Sequence, residues 1–163
     1  MPGEAAFMDQ NLLRSYFSTV YDFSTRTGNV RASLDGEASI EPTELPDLLQ
    51  TTFSILTAYN PRSMLLPRRV NEGRHLVLRD LLIIGSYRVD PCVGFEADKR
   101  DSPWREPSWL VHSMDRDEAV AFGRVFRQNT VIYSTGGQPE VIITDPTADD
   151  VGRAHATSWR VRS

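Results

Sequence analysis

Nine side chains are candidates for binding or transforming a small molecule, because of their types and their positions in the sequence. Five of the nine lie close together in the sequence. Asn60, Arg62 and Ser63 directly follow an apolar run, and Asn71 and Arg74 lie a few residues further on. Arginine holds a carboxylate or a phosphate with two parallel hydrogen bonds, and the start of a helix adds unpaired N–H groups. These five residues predict a site for a small anionic ligand, such as a nucleotide or another phosphorylated compound. In the alternative interpretation, Asn60, Asn71 and Arg74 only stabilise the turn and the helix.

Glu106 is the candidate catalytic residue. It lies between Trp104 and Pro107, and such surroundings remove water from a carboxyl group and raise its pKa. A glutamate with a raised pKa serves as a general acid or base. The alternative is an ion pair between Glu106 and an arginine such as Arg74, which would hold the loop onto the helix. Trp104 has the same two interpretations, a stacking surface for a ligand or an anchor of the loop.

Gln128 and Asn129 complete the set of candidate ligand-binding residues. Both lie where a predicted helix leads into a strand, a position at which amides either bind a ligand or satisfy backbone groups. The three histidines and Cys92 have no metal-ligand spacing, so no metal is predicted. Neither a phosphate-binding glycine loop nor a dinucleotide fingerprint occurs, and no cofactor is predicted.

The elements that must position these residues predict an α/β (or α+β) domain. Its mixed sheet has five to seven strands and is accompanied by two principal helices. The most apolar strand, 53–59, stops at Asn60-Pro61 and is followed by a helix over 67–84. Asp115 and Glu118 predict the capped start of the second helix. The other predicted segments are short helices at 9–17 and 43–50, strands at 19–23, 30–34, 38–40, 86–90, 108–112, 130–134 and 140–144, and an ordered loop over 91–107.

The helix over 67–84 carries both an apolar stripe and several arginines. Leu66, Val70, Gly73, Val77, Leu81 and Ile84 fall on the stripe that the pattern predicts to be buried. Residues 62–79 hold five arginines against one acid. The alternative function is therefore a protein-interaction module that docks an acidic partner on this basic helix.

Length and composition limit the classes of protein further. The 163 residues predict one domain over 9–145, with flexible termini at 1–8 and 146–163. A net charge of -4 argues against a nucleic-acid-binding surface. The first residues lack the pattern of a secretory signal, and no apolar run approaches the length of a membrane span. With Cys92 as the only cysteine, the sequence predicts a cytoplasmic protein that does not contact a membrane.

The candidate residues share one site only if their strands run in opposite directions. Asn60 follows its strand, whereas Glu106 and Gln128 precede theirs. Strands 108–112 and 130–134 are therefore predicted to be antiparallel to strand 53–59. Asn60, Asn71, Arg74, Glu106 and Gln128 would then surround one polar cleft.

Several short motifs also resemble an uncharacterised, mostly bacterial family, domain of unknown function 3293 (DUF3293). The motifs are Thr57-Ala58-Tyr59-Asn60-Pro61 with Ser63, Asn71 with Arg74, Trp104-Arg105-Glu106-Pro107-Ser108, and Gln128-Asn129. The resemblance covers roughly residues 15–143 and implies no particular reaction. The last motif departs from the usual Phe-Gly-Gln-Asn of the family, because Arg127 stands where a small residue is expected.

Overall fold

A single antiparallel sheet of nine strands dominates the described part of the chain. The structure is a computed structural model that describes residues 15–35, 44–96 and 105–162. The strands are β1 Thr19–Thr25, β2 Gly28–Asp35, β3 Phe53–Leu56, β4 Val89–Glu96, β5 Arg105–His112, β6 Thr130–Thr135, β7 Gln138–Ile143, β8 Ala154–Ala156 and β9 Ser158–Val161. The helices are α1 Asp47–Gln50, α2 Arg68–Ile84 and α3 Arg116–Val125.

The sheet curls into a nearly closed, barrel-like shape. Its strand order is β8-β7-β6-β3-β5-β4-β1-β2-β9, and all the pairs are antiparallel. The two outer strands, β8 and β9, are separated in sequence by Thr157 alone. Because the Thr157 backbone N–H donates to the Pro139 carbonyl (3.1 Å), the chain passes directly from one edge of the sheet to the other.

The predicted α/β fold with a mixed sheet of five to seven strands is wrong. Helices α2 and α3 each connect two strands of the same direction, which is the alternation that the sequence shows. However, β5 lies between β3 and β4, and β3 lies between β5 and β6. Each intervening strand is antiparallel to both of its neighbours. The strands that each helix connects are therefore parallel to each other but are not paired, and the local pattern of the sequence does not reveal the strand between them.

Two apolar clusters occupy the two faces of the sheet. Side chains that alternate along the strands fill the interior, and α1 packs against this cluster at one end through Leu48 and Leu49. The second cluster lies outside the sheet, where α2 and α3 cover it. Large interior side chains include Tyr21, Phe23, Leu34, Phe53, Leu110, Ile143 and Trp159.

Helix α2 contacts the sheet with a different face from the one predicted. Its buried residues are Asn71, Leu78 and Leu82, whereas Val70, Val77, Leu81 and Ile84 of the predicted buried stripe are exposed. The helix has apolar residues on two sides, and periodicity does not indicate which side meets the sheet.

The residues after 145 are part of the fold rather than the predicted flexible terminus. They contribute β8 and β9, and Trp159 is only 1% exposed. The sequence pattern does not reveal these strands, because they are only three and four residues long and contain polar residues beside the apolar ones. The predicted terminus 1–8, the predicted strand at 38–40 and Ser163 lie outside the described residues. In the described ranges, no helix has the length and apolar character needed to cross a membrane.

Candidate functional site

The turn after β3 is held by two asparagines that bond to each other. The Asn71 side-chain nitrogen donates to Asn60 Oδ1 (2.7 Å), and Asn71 Oδ1 accepts from the Asn60 backbone N–H (2.9 Å). Asn60 Oδ1 also accepts from the Leu66 backbone N–H (3.1 Å). Asn60, Arg62 and Ser63 all have positive φ, between 44° and 59°, a conformation that costs non-glycine residues free energy. The asparagine pair therefore stabilises an unfavourable turn.

The two predicted anion-binding arginines bond to backbone carbonyls. Arg74 Nε donates to the Ala58 carbonyl and its Nη2 to the Phe126 carbonyl, both at 2.7 Å. Arg62 Nη1 donates to the Gln128 carbonyl, and its Nε lies 3.8 Å from Asp145. Both arginines therefore connect the turn after β3 to the segment at the end of α3. We expect an Arg74→Ala variant to change the stability of the fold, so it would not be a specific test of ligand binding.

Gln128 and Asn129 join the same network from the other side. Gln128 Nε2 donates to the carbonyls of Tyr59 (3.1 Å) and Phe126 (3.3 Å), and Asn129 Nδ2 donates to Ser63 Oγ (2.9 Å). Just before them, Arg127 adopts a φ of 57°. This left-handed conformation favours glycine, which explains the small residue that the family resemblance implies at this position.

Two adjoining cavities lie at this end of the sheet. The mouth cavity, of about 70 Å³, is lined by Ser15, Tyr16, Asn60, Ser63, Leu65, Glu106, Gln128 and Asn129. The inner cavity, of about 30 Å³, extends into the barrel-like sheet between residues that include Tyr21, Thr57, Ser108 and Thr130. Tyr16, Glu106 and Gln128 line both. The space is sufficient for a few water molecules or for a small polar group.

Glu106 is the ionisable carboxyl group between the two cavities. It lies on the same face of β5 as Ser108 and Leu110, and therefore points into the sheet's interior. Burial raises the pKa of Glu106 to about 7, and a hydrogen bond with the Thr57 side chain lowers it in part. Among the described residues, no Arg, Lys or His forms an ion pair with Glu106, so the alternative of a pair with Arg74 does not form.

Two tyrosines surround this carboxyl group. Burial raises the pKa of Tyr16 to about 12; a hydrogen bond with Thr130 lowers that pKa and the negative charge of Glu106 raises it. Burial, with smaller contributions from Cys92, Glu106 and Tyr16, also raises the pKa of Tyr21. Both phenols therefore stay protonated at neutral pH, and Glu106 is the group that titrates.

The structure separates the predicted site residues into two groups. Asn60, Ser63, Glu106, Gln128 and Asn129 line the mouth cavity, because β5 and β6 are antiparallel to β3 as predicted. Arg62, Asn71 and Arg74 are not among the residues that line this cavity. Their side chains instead bond to the backbone and side chains of the segments that form it. Trp104 lies outside the described residues.

Tyr16 and Thr57 are contributors that sequence reasoning did not select. The only signals for them are a hydroxyl on an apolar helical stripe and a threonine within the turn motif. No cluster of three or more metal-ligating residues occurs within the described ranges.

His75 lies behind the site, in an aromatic stack, and gives the fold a specific sensitivity to acid. Its ring stacks on Trp109 at a centroid distance of 4.4 Å and meets the edge of Tyr59 at 5.6 Å. Its Nδ1 is buried without a hydrogen-bond partner. Burial, with the charge of Arg79, lowers the pKa of His75 to about 4.

We expect His75→Phe to remove a loss of stability at low pH. As the pH falls from the unfolded-state pKa near 6.5 towards 4, the unfolded chain binds a proton that the folded chain does not. Because His75 is only half-buried, solvent screens part of this effect, and at pH 4.5 the cost to the wild type is on the order of 1–2 kcal/mol. Urea unfolding at pH 7.5 and 4.5 should show His75→Phe gaining that amount relative to wild type at pH 4.5. An equal difference at both pH values would contradict a neutral His75.

The protein is thus a barrel-like antiparallel sheet with a buried, protonatable carboxyl group beside a polar cavity at one end. A sequence model of the family DUF3293, described as a protein of unknown function, matches residues 56–131. This match confirms the resemblance to the family, and it runs from the last residue of β3 to the start of β6, where most of the site lies. No curated protein and no solved structure matches the chain significantly.

Proposed function

We propose that the mouth cavity binds a small polar molecule that donates hydrogen bonds, with a small amine or guanidinium group as the preferred ligand. The observation that carries this proposal is Glu106, a buried carboxyl group without a cationic partner among the described residues. A cation that enters the cavity would stabilise the ionised form of Glu106 and complete the pair.

The hydrogen-bonding groups around Glu106 support a ligand that donates. The amide nitrogens of Gln128 and Asn129 donate to protein acceptors, which leaves the amide oxygens for the cavity. Hydroxyl groups of Tyr16 and Ser63 add further acceptors. Asn60 is the exception. Its side-chain oxygen accepts hydrogen bonds from Asn71 and Leu66, so its side-chain nitrogen is the group that could face a ligand, as a donor.

The anionic ligand predicted from sequence has less support than a cation. That hypothesis depended on Arg62 and Arg74, and both guanidinium groups bond to carbonyls. A protonated Glu106 would still donate one hydrogen bond to an anion, so such binding would require a pH below about 7. The pH dependence of binding therefore distinguishes the two ligand classes.

Docking of an acidic partner on the basic helix has less support than a ligand at the mouth cavity. Arg68 pairs with Glu72 (2.6 Å), and Arg79 pairs with Asp80 (3.0 Å). The outward face of α2 is therefore more apolar than basic. For the location of the protein, the buried single thiol of Cys92 supports the proposal of a reducing, cytoplasmic compartment.

A titration with simple probes tests the proposal. Methylammonium, guanidinium, acetamide, glycerol and inorganic phosphate would each be added at about 1–50 mM, while NMR follows the side-chain amide signals of Gln128 and Asn129. We expect methylammonium or guanidinium to shift these signals, with about tenfold tighter binding at pH 8 than at pH 6, because Glu106 ionises between them.

Two variants make the result specific. Glu106→Gln should abolish the pH dependence and weaken binding of the cations, whereas Glu44→Gln, an exposed carboxylate elsewhere, should change neither. Phosphate binding that strengthens at pH 6 would support the anionic ligand instead. No shift with any probe would contradict a binding site at the mouth cavity.

A further inference from the structure

The outward face of α2 carries an apolar surface that the described parts of the chain leave exposed. Six aliphatic side chains of this helix are between 42% and 78% exposed. Their combined exposed area is on the order of 500 Å², near the upper end of what the surface of a monomer carries. They are Val70, Leu76, Val77, Leu81, Ile83 and Ile84.

Neighbouring segments extend this surface. Met64 and Leu65, which precede α2, are 49% and 82% exposed, and Val125 at the end of α3 is 70% exposed. Val125 adjoins Phe126, whose carbonyl accepts from Arg74 of α2, so it lies beside the same helix. The whole surface approaches the roughly 800 Å² that one partner contributes to an interface of standard size.

We propose that this surface binds a second copy of the chain, with the two α2 helices antiparallel across a two-fold axis near Val77. A stripe of Val70, Gly73, Val77, Leu81 and Ile84 runs along the exposed face. The stripe is symmetric about Val77 in sequence. In an antiparallel pair, Val70 therefore lies opposite Ile84 of the other copy, and Gly73 lies opposite Leu81.

The side chains on this stripe have complementary sizes. Gly73 has open space where a Cβ atom would lie, with nothing within 4 Å. This notch is opposite Leu81, so a large side chain of one copy enters the gap of the other at two symmetric places. Gly73 costs helix stability of about 1 kcal/mol relative to alanine, a cost that close approach of a second helix would offset.

Charge is complementary in the same arrangement. Arg68 and Arg69 lie at the start of α2, and the helix ends at Ile84, where its last carbonyl groups carry partial negative charge. Antiparallel packing places the arginine-rich start of one α2 beside the negative end of the other helix dipole.

Analytical ultracentrifugation of the full chain, with and without Val77→Glu, tests this pairing. At about 100 µM, we expect the wild type to have a mass of 36.8 kDa, twice the 18.4 kDa of one chain. Val77→Glu places two carboxylates at the axis and should raise the dimer dissociation constant about 100-fold or more. Val151→Glu, at another exposed valine, should leave the dimer intact.

Three further variants separate pairing from folding. Gly73→Leu should raise the unfolding temperature measured at monomeric concentrations and weaken the dimer, because it favours the helix and fills the notch. Val77→Cys should form a symmetric disulfide under oxidation and Ile83→Cys much less, because only residue 77 lies at the proposed axis. Cys92 is buried and does not compete. A wild type that stays monomeric at 18.4 kDa, or a dimer unchanged by Val77→Glu, would overturn the proposal.

Discussion

Glu106→Gln should stabilise the protein by about 3 kcal/mol at pH 8, and by little at pH 4.5. The folded-state pKa of Glu106, about 7, lies above the ordinary value of 4.5. The stability that this group contributes is thus fully present below pH 4.5 and is lost as the pH rises through 7. Glutamine keeps the shape and cannot ionise, so the variant avoids the loss.

Urea unfolding of wild type and Glu106→Gln between pH 4.5 and 8.5 measures this effect. Glu44→Gln provides the matched control, since that residue is exposed and should give the same small difference at every pH. A Glu106→Gln variant that is less stable than wild type at pH 8 would show that the carboxylate has a cationic partner. A buried acid that destabilises its own fold is typical of a group retained for binding or chemistry.

Trp159→Ala should cost about 3–5 kcal/mol of unfolding free energy, a large part of what a domain of this size possesses. The indole is 1% exposed and contacts the rings of Phe23 and Phe53 at centroid distances of 5.9 Å. Its Nε1 donates to Ser134 Oγ (2.9 Å). The substitution therefore removes an aromatic group that joins β9 to strands on the far side of the interior.

Val161→Ala provides a control in the same strand, because that valine is 41% exposed and should cost less than about 1 kcal/mol. Denaturant unfolding followed by circular dichroism compares the two variants. Equal, small losses for both would mean that β9 is peripheral and that the sheet is stable without its closing strand.

The sequence predicts the direction of the strands around the site better than the architecture of the sheet. The order in which Asn60, Glu106 and Gln128 meet their strands requires antiparallel neighbours if they share a site, and β3, β5 and β6 satisfy this requirement. The order of the remaining strands depends on pairings between distant segments. Nothing local in Ser158–Val161 indicates that this segment pairs with β2 and places Trp159 in the interior.

The roles of the polar residues depend on contacts that residue type does not specify. Arg74 and Asn71 have the chemistry of ligand-binding groups, but they lie where the β3 turn and the end of α3 leave carbonyl and N–H groups without partners. Glu106 has no positively charged partner among the described residues, although the sequence is rich in arginine. Its position on the interior face of β5 follows from strand alternation once the strand is known to begin at Arg105.

We expect Glu106 to titrate near neutral pH in a cavity where a ligand can exchange a proton or a hydrogen bond with it. NMR of protein labelled with ¹³C at the glutamate carboxyl carbon measures this directly, and Glu106→Gln assigns the signal. We predict a midpoint of about 7, which falls when methylammonium is added. A midpoint near the ordinary 4.5, unchanged by methylammonium, would show that Glu106 is neither desolvated nor part of a binding site for cations.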